Sequence, residues 1–170
     1  MTLGELLSQY VANPDHSTLT PLQQAVMDAA NYDPLVLIET RLNPLFEASD
    51  HQGIIDLLHR QMPGLFLSPT VHAYLSQAHQ ELGDETGAQR ERQAAQLAMQ
   101  TLISSGNGSH EKPYRVLRVS DEYDVLTYLE ATSTSQRTVD EDNRVFDVLT
   151  TTDGTEVWFE LLWRNRGAAS

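Results

Sequence analysis

Residues 104–113 read Ser-Ser-Gly-Asn-Gly-Ser-His-Glu-Lys-Pro, and the hydrophobic rhythm of the chain changes across them. Upstream, apolar residues recur every three or four positions, the period of one helix face. Downstream, β-branched and aromatic residues alternate as they do along a pleated strand. The Gly/Ser-rich stretch between has no apolar period and reads as turn and linker. The expected fold is α+β in two parts: a helical domain over residues 1–104, a linker over 105–112, and a small α+β domain over 113–170.

Helix starts punctuate the first part. Thr2 with Glu5 has capping-box spacing. Thr20-Pro21, Asp33-Pro34 and Ser68-Pro69 each place a capping residue before a proline, whose missing N–H costs nothing in a first helical turn. Asp50 and Asp84 are further expected caps. Leu35, Ile38, Leu42, Leu45 and Phe46 make one apolar stripe, which Pro44 is expected to kink or to end after Leu42. Ile54, Leu57, Leu58 and Met62 make a second; Val71, Leu75, Ala78 and Leu82 a third; Ala88, Ala95, Ala98 and Leu102 a fourth. Short helices with one apolar stripe bury it only against antiparallel neighbours, which predicts a bundle of helical hairpins.

Two of these hairpins are related. Glu47-Ala-Ser-Asp50-His-Gln-Gly53-Ile54 aligns with Glu81-Leu-Gly-Asp84-Glu-Thr-Gly87-Ala88 at an offset of 34 residues, the tetratricopeptide period. In the second copy Leu75, Gly83, Ala88 and Ala95 fall where that motif has its leucine, its turn glycine and its two second-helix alanines. The helical part therefore resembles tetratricopeptide repeats. It departs from them at His79, which stands at the motif's tyrosine position, at Ser76 in the first helix, and at Ile54 in place of the first alanine.

Beyond the linker, Tyr114–Val119 reads as a strand, and Ser120 as the cap of a helix that carries Asp121 and Glu122 in its first turn. Residues 132–139 suit an edge strand, 140–143 a turn, and Arg144–Thr150 a strand with Phe146 and Val148 on one face. Asp153-Gly154 signals a hairpin into a last strand, whose Val157, Phe159 and Leu161 point inward with Trp158 opposite. The expected order is β-α-β-β-β, its last three strands an antiparallel meander. This stretch resembles an uncharacterised bacterial family with a C-terminal domain of unknown function. The matching positions are Val119, Glu122, Tyr123, Leu126, Phe146, Asp147, Val148, Leu149, Trp158 and Phe159. The resemblance implies helical repeats in front of that domain and brings no activity with it.

A net charge of −13, with a single lysine (Lys112), opposes binding to nucleic acid or to an anionic membrane, and favours encounter with a basic partner. The absence of cysteine excludes disulfides and thiolate chemistry. The first residues lack the charged and apolar regions of a signal peptide, so a cytoplasmic location is expected. No phosphate loop or nucleophile elbow is present, and no cofactor is implied. His72 and His79 lie seven apart on one helix, which separates their side chains by roughly 10 Å, so no metal site is assigned to them. Asp140–Asn143 lacks the glycine and late glutamate of a calcium loop. Glu122 and Asp124 are read as helix-dipole partners, and Asp147 as a structural group that caps or bonds across the sheet.

The expectation is a non-enzymatic protein-interaction module that holds a protein or peptide, one with a basic surface by charge complementarity. Motif spacing puts Thr70, Ala73, Gln77 and Gln80 on its binding face. The alternatives are an acidic immunity protein that neutralises a toxin and, less in keeping with the missing motifs, an enzyme with its active site between the domains.

Overall fold

The Thr2 hydroxyl accepts from the Glu5 amide at 3.3 Å, and Glu5 Oε2 accepts from the Thr2 amide at 2.7 Å, so both orphan donors are satisfied where α1 (Leu3–Ala12) begins. The computed structural model describes residues 1–165; the final residues of the expected C-terminal domain, 166–170, lie outside the described residues. The architecture is α+β, with helices towards the N-terminus and a four-stranded mixed sheet towards the C-terminus. The chain divides into two compact units, Met1–Asp33 with Leu37–Gln96, and Pro34–Val36 with Leu97 onward.

The first unit holds α1, α2 (His16–Met27), α3 (Ile38–Glu47), α4 (His51–Arg60), α5 (Pro69–Glu81) and most of α6 (Glu85–Ile103). Leu22, Val26, Leu42, Ile54, Leu58, Val71, Leu75 and Ala88 form its buried centre. Several helix starts differ from those expected. Asp15, not Thr20, caps α2: its carboxylate accepts from the Ser17 and Thr18 amides at 2.8 and 3.1 Å, and Pro21 lies inside the helix. No helix begins at Asp33-Pro34, and Leu35 is exposed rather than part of a stripe. The α3 helix begins at Ile38 and runs through Pro44 to Glu47 instead of ending at Leu42.

The 34-residue offset survives in three dimensions. Asp50 and Asp84 each accept from the amide of the glycine three residues on, Gly53 and Gly87, at 2.9 Å. Their own amides donate back to Leu45 and His79 carbonyls at 2.8 and 2.9 Å. Ser49 and Gly83, the residues before them, both take left-handed backbone at φ +52° and +76°. The two turns are thus the same C-cap-to-N-cap device, but only the second has the residue that suits it. Ser49→Gly is expected to stabilise this unit, and Gly83→Ala to destabilise it, by about 0.5–1 kcal/mol each. Urea unfolding followed by helical circular dichroism reads both, and equal signs for the two would contradict the equivalence.

In the second unit the strands are β1 (Tyr114–Val116), β2 (Ser133–Glu141), β3 (Arg144–Thr151) and β4 (Glu156–Leu161), with α7 (Val119–Tyr128) between β1 and β2 and a short 3-10 helix, Leu162–Arg164, at the end. The sheet order is β1-β4-β3-β2: β1 runs parallel to β4, and the last three strands are the expected meander with β2 at an edge. Asp142 and Asn143 at φ +52° and +60° form a two-residue loop between Glu141 and Arg144, as primed hairpin turns require. The first strand stops at Val116, short of Val119, because the Leu117 and Arg118 amides donate to the Asp121 carboxylate at 2.9 and 3.1 Å rather than to a neighbouring strand.

Register partners divide the sheet into two faces. Tyr114, Val116, Val145, Leu149, Val157, Phe159 and Leu161 pack with Val125 and Leu126 of α7 and Leu102 of α6. On the other face Arg137 pairs bidentately with Glu156 at 3.1 and 3.0 Å, and Arg144 with Glu160 at 3.1 and 2.7 Å. His110 stacks on Trp158 there, with ring centroids 4.5 Å apart. The stretch expected as a linker is folded: the Asn107 and Gly108 amides donate to the Lys112 carbonyl, and the Gly108 carbonyl accepts from Trp158 N–H at 2.8 Å. Among the described residues no helix is long and apolar enough to cross a membrane.

Candidate functional site

The four residues expected to bind a partner all lie on α5, which Ser68 caps through the Val71 amide and Pro69 opens. Val71, Leu75 and Ala78 turn one side of this helix into the core. Ala73, Gln77 and Gln80 are exposed on the remaining side, and Thr70 is half-buried. A face of short polar and small side chains can offer hydrogen bonds to an extended peptide without steric obstruction.

The buried side of α5 also carries polar groups. His72 Nδ1 lies 2.7 Å from Glu91 Oε2 on α6, and His79 Nδ1 lies 2.9 Å from Asp84 Oδ2. Burial pushes the Glu91 carboxyl up, but the hydrogen bond and charge of His72, with help from Arg90, outweigh it and leave Glu91 below the usual glutamate range. The Gly87 amide, with His79, outweighs desolvation and holds Asp84 down in the same sense. One donor atom each from His59, His79 and Glu91 lies within 4.8 Å of the others, and these are the residues able to hold a metal ion. The spacing of His72 and His79 on α5 does not find this group, because α4, α5 and α6 each contribute one member. The available signal was the repeat itself: His72, His79 and Glu91 stand 34 residues after Ile38, Leu45 and Leu57.

A second cluster lies beneath α7 in the other unit. Arg118, Asp121 and Glu122 are all at most 1% exposed, and Asp147 of β3 is 5% exposed. The expected roles of these residues need correction. Ser120 is not the cap; Arg118 occupies that position, and Asp121 reaches back to the Leu117 and Arg118 amides. Glu122 does not face solvent at the helix start, since it shares a face with Val125 and Leu126 three and four residues on and is carried inward with them. Asp147 bonds across the sheet as expected, accepting from Gln136 Nε2 at 2.8 Å and Thr138 Oγ1 at 2.7 Å.

The cluster has unusual electrostatics. Desolvation, then the neighbouring Asp147, push the Glu122 carboxyl up to about 9. At neutral pH it is therefore a protonated acid, able to give its hydrogen to Asp147. Burial also raises Asp121, against the opposing charge of Arg118, whose Nη1 lies 3.7 Å from Asp121 Oδ1. Such a group could store a proton or serve only to fix the helix on the sheet.

A family model described as a domain of unknown function (DUF4919) matches residues 40–162. The match starts inside α3 and ends just after β4, so it spans the helical hairpins as well as the sheet, where the C-terminal part alone carried the expected resemblance. No curated protein and no solved structure matches the chain.

Proposed function

The chain belongs to the DUF4919 family of unknown function, and we propose that it works as a protein-interaction module which takes a basic, extended peptide segment along α5. The observation that carries this reading is the recurrence, at 34 residues, of the same turn in two successive hairpins: left-handed Ser49 and Gly83, then the Asp50 and Asp84 caps. Successive hairpins with this period are the unit of tetratricopeptide-like arrays, whose first helices present side chains to a bound chain. Here those side chains are Thr70, Ala73, Gln77 and Gln80. The net charge of −13 selects for positive partners and speeds their approach.

The test compares the tagged chain with a Gln77→Ala/Gln80→Ala variant as bait in lysate of the source cell. Proteins held by the first and lost by the second are expected, with retention that falls as salt rises. An identical set on both baits, or retention indifferent to salt, would remove this face from the reading.

A further inference from the structure

The second hairpin carries polar side chains where the first is apolar, and one of them is left with an unmet valence. His79 is 8% exposed and its Nε2 is buried with no hydrogen-bond partner among the described residues. A buried ring nitrogen without a partner is costly, and such an exception calls for a cause. Its other nitrogen faces the Asp84 carboxylate. That carboxylate takes the Nδ1 proton, which fixes the tautomer with the Nε2 lone pair pointing away from Asp84. Gly87 leaves room for the arrangement: a Cβ there would lie 2.6 Å from His79 Nδ1 and 2.3 Å from Asp84 Oδ2.

We infer that His59, His79 and Glu91 bind a divalent transition-metal cation of the zinc class, with Asp84 orienting His79 from behind. Two imidazoles and a carboxylate are the donor set of borderline cations rather than of calcium or magnesium, which take oxygen alone. A carboxylate on the far nitrogen of a histidine is the usual outer partner of such a ligand. His72 plays the matching part for Glu91, holding the carboxylate that would otherwise turn to solvent. Tetrahedral ligands at 2.0–2.1 Å from zinc sit about 3.3 Å apart. The donor atoms, within 4.8 Å of one another, close to that spacing by rotation of His59, which is exposed and moves no core side chain. Three protein ligands leave one position to water.

The inference is independent of the peptide-binding reading, and its test uses the full chain stripped with a chelator and titrated with Co²⁺, then with Zn²⁺ in competition. One cobalt per chain is expected, with the visible absorption of a low-coordinate ion that zinc abolishes. His59→Ala alters an exposed residue and so keeps the helical circular dichroism, yet it should lose at least tenfold in cobalt affinity. Asp84→Asn retains an acceptor for the Gly87 amide and should weaken binding about 10–100-fold through His79 alone. His110→Ala, in the other unit, should bind as the parent does. Failure of the chain to bind cobalt at micromolar free metal, parental affinity in His59→Ala, or an equal loss in His110→Ala would each overturn the site.

Discussion

Replacing Arg118 with methionine is expected to destabilise the second unit by about 3–5 kcal/mol at neutral pH, the cost of removing one member of a buried ion pair. Arg118 is 1% exposed and the largest of the fully buried side chains, and Asp121 beside it is fully buried. The Asp121 carboxylate keeps its two amide donors from Leu117 and Arg118 after the change, so the start of α7 stays capped. What it loses is the only charge that works against its own desolvation apart from those amides. The loss should therefore shrink as pH falls and Asp121 takes up a proton. Both tryptophans, Trp158 and Trp163, lie in this unit, so their fluorescence during denaturant unfolding reports on it alone. Asp121→Asn keeps an oxygen for the amides and removes the charge. The double variant should recover a large part of the loss, and a cycle with no coupling would show that the pair is not the source of the effect.

The sequence made some of this legible and concealed the rest for definite reasons. Caps close to their partners were readable: Thr2, Asp50, Ser68 and Asp84 all act within three residues, and local rules suffice for them. Thr20-Pro21 failed because Asp15, five residues earlier, had already formed a reciprocal box with Thr18. Proline at position 21 is then tolerated inside the helix rather than opening it. Asp33-Pro34 failed for a tertiary reason: the Pro34 carbonyl accepts from the Val119 amide at 3.0 Å, within the second unit, and satisfies one of the orphan donors of α7. No local pattern could announce a bond spanning so much chain. The meander and its two hairpins were readable because alternation and turn chemistry agree. The buried charges were the hardest to see. At Glu122 two local rules conflict: a carboxylate in a first turn suits the helix dipole, whereas its spacing from Val125 and Leu126 places it inside. Burial of the apolar stripe won, and the carboxyl responded by keeping its proton.

That response gives the second large effect. Glu122→Gln is expected to make the second unit more stable than the parent by about 3 kcal/mol at pH 7, with the advantage vanishing near pH 4.5. A carboxyl raised from 4.5 to about 9 remains protonated in the folded chain at pH values where the unfolded chain has released the proton. The folded state then binds more protons, so its stability falls as pH rises. The contribution is fully present below pH 4.5 and is lost progressively upward through pH 9. Glutamine has nearly the same shape, offers N–H donors towards Asp147, and has no proton to lose. The remaining titrating groups, including Asp84, Glu91 and Asp153 with lowered values, are common to both proteins. They cancel in the difference between variant and parent, which is the quantity to follow by tryptophan-monitored unfolding between pH 5 and pH 9. A difference that grows with pH is the expected result. A difference flat in pH would mean that Glu122 is ionised in the folded chain, and the acid beneath α7 would then have to be an open, hydrated carboxylate rather than a buried hydrogen-bond donor.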